Sequence, residues 1–291
     1  MSTVLTPSRL WLSKNWPEQL QEMSDPPTQL HLVGSQPPTD LVYLTVIGSR
    51  RPSSYGLDIC QHLISGLAGY PIGIVSGLAL GIDAAAHRAA LVSGLYTIAF
   101  PGSGLAKNKI APRTNYNLAE NIVKKGGSLI SEWPDQTPAG RHTFPARNRL
   151  MAGLAQAILV IEAGDRSGTL ITVRLALDYN RDILAVPGSL YNPYSVGTNR
   201  LIKEGAGVIT APTDILEHFN FQTPSTLNEK PEPSTENQRQ LWQLLKTENI
   251  NSKTALAEYL KWPPAKIIAT LTALELEDFI KCAGDHISFL K

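Results

Sequence analysis

A chain of 291 residues, 43% hydrophobic and 18% charged, can hold one large domain and a small one and can bury a real core. Its 26 Lys and Arg stand against 25 Asp and Glu, and the formal charge of +1 excludes a polycationic mode of binding. Two cysteines, Cys60 and Cys282, are too few for a disulfide framework, no apolar run reaches the ~20 residues of a membrane span, and the N-terminus lacks a signal-peptide core. The expectation is a cytoplasmic protein with no membrane association.

Residues 1–40 are rich in Pro, Ser and Gln, show no sustained period and read as an irregular lead-in. From residue 41 the pattern changes. Apolar runs at Val42–Ile47, Gly73–Val75, Tyr96–Phe100, Ser128–Ile130, Ala157–Ile161, Ile183–Val186 and Gly207–Ile209 alternate with helical spacing, as at Asp58–Gly66, Ile82–Leu91 and Thr114–Lys124. Near-continuous apolar strands separated by helices indicate a mostly parallel sheet covered on both faces, so 41–220 reads as one doubly wound α/β domain. Prolines and polar residues then make 221–235 an extended linker. In 236–291, three amphipathic stretches (Arg239–Lys246, Lys253–Tyr259, Pro264–Leu276) precede two short strands around Gly284-Asp285, which suggests a small winged-helix domain.

In a doubly wound sheet, ligands bind at the carboxyl ends of the strands. Four loops of unusual composition leave such ends: Gly48-Ser49-Arg50-Arg51, the Ser76–Asp83 stretch, Pro101-Gly102-Ser103-Gly104, and Glu162–Thr169, which runs into a helix through Ser167-Gly168-Thr169. Glycine lets backbone approach an anion, and helix-start amides can face a phosphate. One such loop alone is an ordinary tight turn; four in register point to a phosphate-lined groove. Phe144-Pro145-Ala146-Arg147-Asn148-Arg149 opens another helix, and its two arginines converge if this stretch is extended. Between 141 and 203, eight Lys and Arg oppose four acids, so a neutral chain hides a cationic patch sized for a strand of phosphates.

Catalytic signals are weaker. Asp83 and His87 sit four apart on a helix and read as a satisfied structural pair, while Trp133, Phe144 and Tyr116 read as packing aromatics that could stack on bases. No P-loop, dinucleotide fingerprint, metalloprotease motif or nucleophile elbow is present, so no cofactor, metal or catalytic residue is expected.

The blocks VIGSRRPSSYG, IVSGLALGIDAAAHRAAL, TIAFPGSGL, GGSLISEWP, FPARNRLMAGLAQAILVIEAGDRSGTLIT, AVPGSL and GTNRLIKEGAGVI, in this order from about Trp16 to Ile209, resemble those of the DNA-processing protein A (DprA/Smf) family. The resemblance implies an extended Rossmann-like fold and a non-enzymatic protein that binds and protects single-stranded DNA and helps load the RecA recombinase in natural transformation. It implies a homodimer as well, and a DNA groove that falls here on Gly48, Ser49, Arg50, Arg147, Asn148 and Arg149, with Ser167, Gly168, Thr169 and Lys203 as neighbours. Many members carry a helical domain before the core; about fifteen residues precede the resembling stretch here, so that module is expected to be absent. The segment Glu236–Lys291 holds seven acids and seven bases, which favours a protein-contact or structural role over a grip on duplex DNA. The enzymatic alternative is a phosphoribohydrolase of the Lonely Guy type, with its P-G-G-x-G-T-x-x-E signature. Aligning its G-T on Gly168-Thr169 puts Asp165 and Arg166 where it has glycines and Thr172 where it has the acid, and a hydroxyl cannot replace that carboxylate.

Overall fold

A computed structural model describes residues 7–165, 167–222, 233–247, 252–277 and 279–289. The chain forms two compact units, Met1–Thr223 and Pro224–Lys291.

In the first unit the described residues build one nine-stranded sheet from β1 (Arg9–Trp11), β2 (Leu30–Gly34), β3 (Val42–Ile47), β4 (Ile72–Ser76), β5 (Tyr96–Ala99), β6 (Ser128–Ser131), β7 (Ala157–Val160), β8 (Asp182–Ala185) and β9 (Gly207–Val208). Its spatial order is β1-β2-β6-β5-β4-β3-β7-β8-β9, parallel from β6 through to β9 and antiparallel where β2 meets β6 and β1. The architecture is an extended Rossmann-like α/β fold. Alternation along β3 shows how both faces are filled. Leu44 and Val46 join the core beneath α2 (Ser54–Ser65) and α3 (Ile82–Val92), while Tyr43 and Ile47 join the core beneath α5 (Thr143–Leu154) and α6 (Thr169–Asp178). The remaining helices of this unit are α1 (Glu18–Gln21), α4 (Tyr116–Lys124), α7 (Val196–Lys203) and α8 (Pro212–His218). From β3 the chain steps outward through β4, β5 and β6, then returns to place β7 on the other flank of β3. That reversal opens a crevice outside the carboxyl ends of β3 and β7.

The lead-in requires a correction. Residues 1–40 were expected to be irregular, yet β1 and β2 extend the sheet, and Trp11, Trp16, Leu20, Met23, Leu30 and Leu32 are buried in the main core. Trp16 Nε1 donates to the Trp11 carbonyl at 2.8 Å. Strands of three and five residues are too short to show a period, and β6, which β2 pairs with and through which both join the sheet, lies about a hundred residues away.

In the second unit α9 (Glu236–Thr247), α10 (Lys253–Leu260) and α11 (Pro264–Leu276) precede a hairpin of β10 (Ile280–Ala283) and β11 (His286–Phe289). Leu241, Leu245, Leu256, Ile267, Leu271, Leu274 and Ile287 form its core. The hairpin turn is clipped to the start of α10, where Asp285 accepts hydrogen bonds from Ser252 Oγ at 2.6 Å and the Thr254 amide at 3.1 Å. Most of the expected 221–235 linker lies outside the described residues. Among those described, no helix is long and apolar enough to cross a membrane.

Candidate functional site

The crevice between β3 and β7 holds an open cavity of about 490 Å³. Three of the four expected loops contribute to it: Gly48, Ser49 and Arg50 after β3, Ala79 after β4, and Ser167 and Gly168 after β7, continuing into Thr169 of α6. The fourth, Pro101–Gly104, does not line the cavity. It seats α5 instead, since Thr143 Oγ1 donates to the Gly102 carbonyl at 2.6 Å and the Phe144 ring packs where a side chain at Gly102 would begin.

The loops brace one another. Thr169 Oγ1 donates to the Gly48 carbonyl at 3.1 Å, which docks the first turn of α6 against the loop after β3. Glu162, only 1% exposed, accepts from the Ser53 amide at 2.9 Å and the Ser53 hydroxyl at 2.5 Å, tying the N-cap of α2 to the end of β7. Gly81 has φ 78° and starts α3 beneath the loop after β3, with the Ile82 amide donating to the Ser49 carbonyl at 3.1 Å. A Cβ at Gly81 would lie 2.3 Å from that carbonyl oxygen and within 2.9 Å of Arg50 backbone. Gly81→Ala therefore combines an unfavourable φ with a backbone clash, and the expected loss of stability in urea denaturation is ~2–3 kcal/mol. A loss below ~0.5 kcal/mol would mean that the loop shifts freely and is not held where it is described.

Arg147 is the floor of the cavity. On α5 the buried positions Thr143, Arg147, Leu150, Met151 and Leu154 follow helical spacing, so an arginine sits in the middle of a core-facing stripe. The side chain is 5% exposed; Nη1 donates to the carbonyls of Gly77 and, at 2.5 Å, Phe100, and Nε donates to Asn148 Oδ1 at 3.0 Å. Burial pushes its guanidinium down to about 10 and Arg50 adds to that, while Asp83 opposes it. Asp83, 7% exposed, accepts from the amides of Gly77 at 3.2 Å and Ala79 at 3.4 Å. Burial raises its carboxyl above the usual range against the pull of Arg147.

Asp83 and His87 thus do not form the expected pair. Asp83 serves the loop after β4, and His87 Nδ1 meets Thr97 Oγ1 at 2.8 Å on β5. The two arginines of the α5 motif also separate. Because α5 is already helical from Thr143, residues two apart point to opposite sides. Arg149 leaves the cavity to pair with Glu132 at 2.5 Å and Asp25 at 3.5 Å. Lys203, exposed at the end of α7, is not part of the lining either. Asn148 is, together with Arg141, Phe144, Ile171 and Thr172. Of the expected cationic patch, Arg200 is held by Asp165 at 2.8 Å, Arg181 by the carbonyls of Gln19 and Gly153, and Arg166 lies outside the described residues.

The lining therefore carries three guanidinium groups, Arg50, Arg141 and Arg147, against the carboxyl of Asp83. Arg50 and Arg147 both lie near the Phe144 ring, with guanidinium carbons 5.5 and 6.0 Å from its centroid. An anion between them relieves their mutual repulsion, and the ring offers a π-face beside it. Trp133 and Tyr116 are engaged elsewhere, the first edge-on to His142 at 5.7 Å and the second donating to Glu120 at 2.7 Å. The arrangement can hold a phosphate and a planar group side by side. Asp83, the one carboxylate of the described lining, is committed to Gly77, Ala79 and the Arg147 charge.

Fold and site together define a Rossmann-like α/β protein with a cationic crevice at its topological switch point. Residues 9–220 match the model of the DNA recombination-mediator protein A family, and the chain belongs to that family. It is 42% identical to Protein Smf of Escherichia coli over 209 residues, covering 72% of this chain and 55% of that protein. It is 40% identical to the DNA processing protein DprA of Streptococcus pneumoniae, with 74% and 75% of the two chains covered. Solved structures agree: DNA processing protein A from S. pneumoniae superposes with a TM-score of 0.68 at 37% identity over 75% of each chain. The Helicobacter pylori protein, described for its single-stranded DNA binding mode, superposes with a TM-score of 0.64 at 29% identity over 72% of this chain and 95% of that one.

Proposed function

We propose that the crevice binds single-stranded DNA without sequence preference and that the protein protects the strand and hands it to a RecA-type recombinase, acting as a homodimer in natural transformation and recombination. The observation that carries the DNA-binding part is the cavity itself, where accessible cations, a π-face and the start of α6 converge at the switch point with the carboxylate of the lining already engaged. Phosphates would rest on Arg50 and Arg141, a base against Phe144, and Arg147 would supply buried positive charge from below. The H. pylori relative supports the choice of a single strand, and family membership supports a place in recombination. The recombinase and the homodimer rest on the family resemblance. For the second unit we propose a winged helix that contacts protein rather than DNA. Its residues balance in charge, and α11 leaves Ile268 and Leu276 exposed.

The test is fluorescence anisotropy with a labelled oligo-dT across salt concentrations. Arg50 is exposed, and among the described residues its side chain makes no hydrogen bond or ion pair, only the contact with the Phe144 ring, so Arg50→Ala is expected to fold normally. Its affinity should fall ~3–10-fold at low salt, and the log–log salt slope should become shallower by ~0.7, the share of one phosphate contact on a single strand. Unchanged affinity and slope in this variant would remove Arg50 from the site. Absence of binding by the parent protein at low salt would end the reading altogether.

A further inference from the structure

The crevice does not stop at the first turn of α6. A second open cavity of about 430 Å³ shares Ser167, Gly168 and Ile171 with the first and continues past them to Leu170, Arg174, Asp165 and Arg200. On α6, Arg174 lies four residues after Leu170 and three after Ile171, so one helix face presents an apolar step followed by a guanidinium. Arg174 is exposed and has no hydrogen-bond or ion-pair partner among the described residues. Arg200 is differently placed. Its Nη1 donates to Asp165 Oδ1 at 2.8 Å and its Nη2 to the Asp165 carbonyl at 3.2 Å, in a pair whose side chains are 42% and 62% exposed. An ion pair that open to water is weak and readily exchanged for a better acceptor.

Resting on the reading of the first cavity as a single-strand site, we infer that the second cavity is a further nucleotide subsite on the same strand. The next phosphate is held by Arg174, and its sugar and base lie on Leu170 and Ile171. Asp165 is an internal competitor, occupying Arg200 until a phosphate oxygen takes its place. The ligand class is a polynucleotide long enough to cross the Ser167-Gly168 turn; a mononucleotide or a very short oligomer is satisfied by the first cavity alone. This subsite contributes to affinity for length rather than for sequence, because it has a cation and an apolar step but no array of donors and acceptors to read base edges.

The experiment uses the full chain, oligo-dT of about four and about twenty nucleotides, lengths that bracket one and several subsites, and the variants Arg174→Ala and Asp165→Asn. Both substitutions are at exposed positions, and an unchanged thermal midpoint confirms that each variant is folded. For the long oligomer, Arg174→Ala should weaken binding ~5-fold and make the salt slope shallower by ~0.7. Asp165→Asn should tighten the same complex ~2–5-fold by releasing Arg200. The short oligomer should bind both variants and the parent alike. If Arg174→Ala leaves the long complex unchanged, or weakens short and long complexes equally, there is no separate second subsite, and a ~3–10-fold weakening of both complexes in Arg50→Ala would show that the first reading still stands. If neither oligomer binds the parent, it is the underlying reading that fails.

Discussion

Arg147→Ala is expected to cost ~3–5 kcal/mol of stability, the range for breaking a buried charge pair from one side. Three losses coincide. The carbonyls of Gly77 and Phe100 lose their guanidinium donor, Asp83 loses the cation that counters its desolvation, and a buried volume in the middle of the α5 stripe is emptied. Gly77 shows how closely this is fitted: a Cβ there would lie 2.6 Å from Asp83 Oδ2 and closer still to Arg147 Nη1. For a unit of this size the thermal midpoint should fall on the order of 10 °C. DNA affinity should fall with it, because the loop after β4 and the cavity floor are no longer held. Adding Asp83→Asn to the variant removes the stranded carboxylate and should recover part of the loss. A variant that melts like the parent yet fails to bind DNA would make Arg147 a direct phosphate ligand and would overturn its assignment as the floor.

That distinction marks what could be read in the sequence. The central strands of the parallel sheet, β3, β4 and β7, were legible because they are buried on both faces and appear as apolar runs; Val42–Ile47 coincides with β3, residue for residue. The lead-in was not, since β2 pairs with the distant β6 and β1 pairs in turn with β2. The loops after β3 and β7 were legible as site material from composition alone, and they do meet in one cavity. Arg147 and Arg149 were equal in the sequence and opposite in the structure. Two residues of helical phase decide that the first is buried over Gly77 and Phe100 while the second joins Glu132 and Asp25. Asp25 comes from the lead-in, so no local pattern could announce that Arg149 would be neutralised. The bond from His87 to Thr97 likewise depends on α3 packing over β5, a tertiary fact that the spacing from Asp83 to His87 does not contain.

The same packing sets an acid limit on the fold. His87 is fully buried, its Nδ1 is engaged by Thr97, and among the described residues its Nε2 has no partner of hydrogen-bonding geometry. Burial, followed by the charge of Arg147, pushes its ring down to about 3, although the backbone at Ser76 works the other way. A group whose folded pKa is depressed contributes stability in full above its unfolded value, here 6.5, and loses it as the pH falls toward the folded value. Across this window the unfolded chain takes up a proton that the folded chain refuses, so stability should decline by up to ~1.4 kcal/mol per pH unit. Asp83 acts in the opposite sense: its carboxyl is raised by burial, so in the lower part of the window the folded chain binds protons more readily at this position and the decline becomes shallower. His87→Asn keeps a hydrogen-bonding group beside Thr97 but cannot titrate. Urea denaturation at pH 7.0 and pH 5.0 should therefore show a loss of roughly 2 kcal/mol in the parent and a distinctly smaller one in the variant. Equal losses in the two proteins would show that His87 is protonated in the fold at pH 5.0, and that the contact between α3 and β5 opens to water more easily than its burial implies.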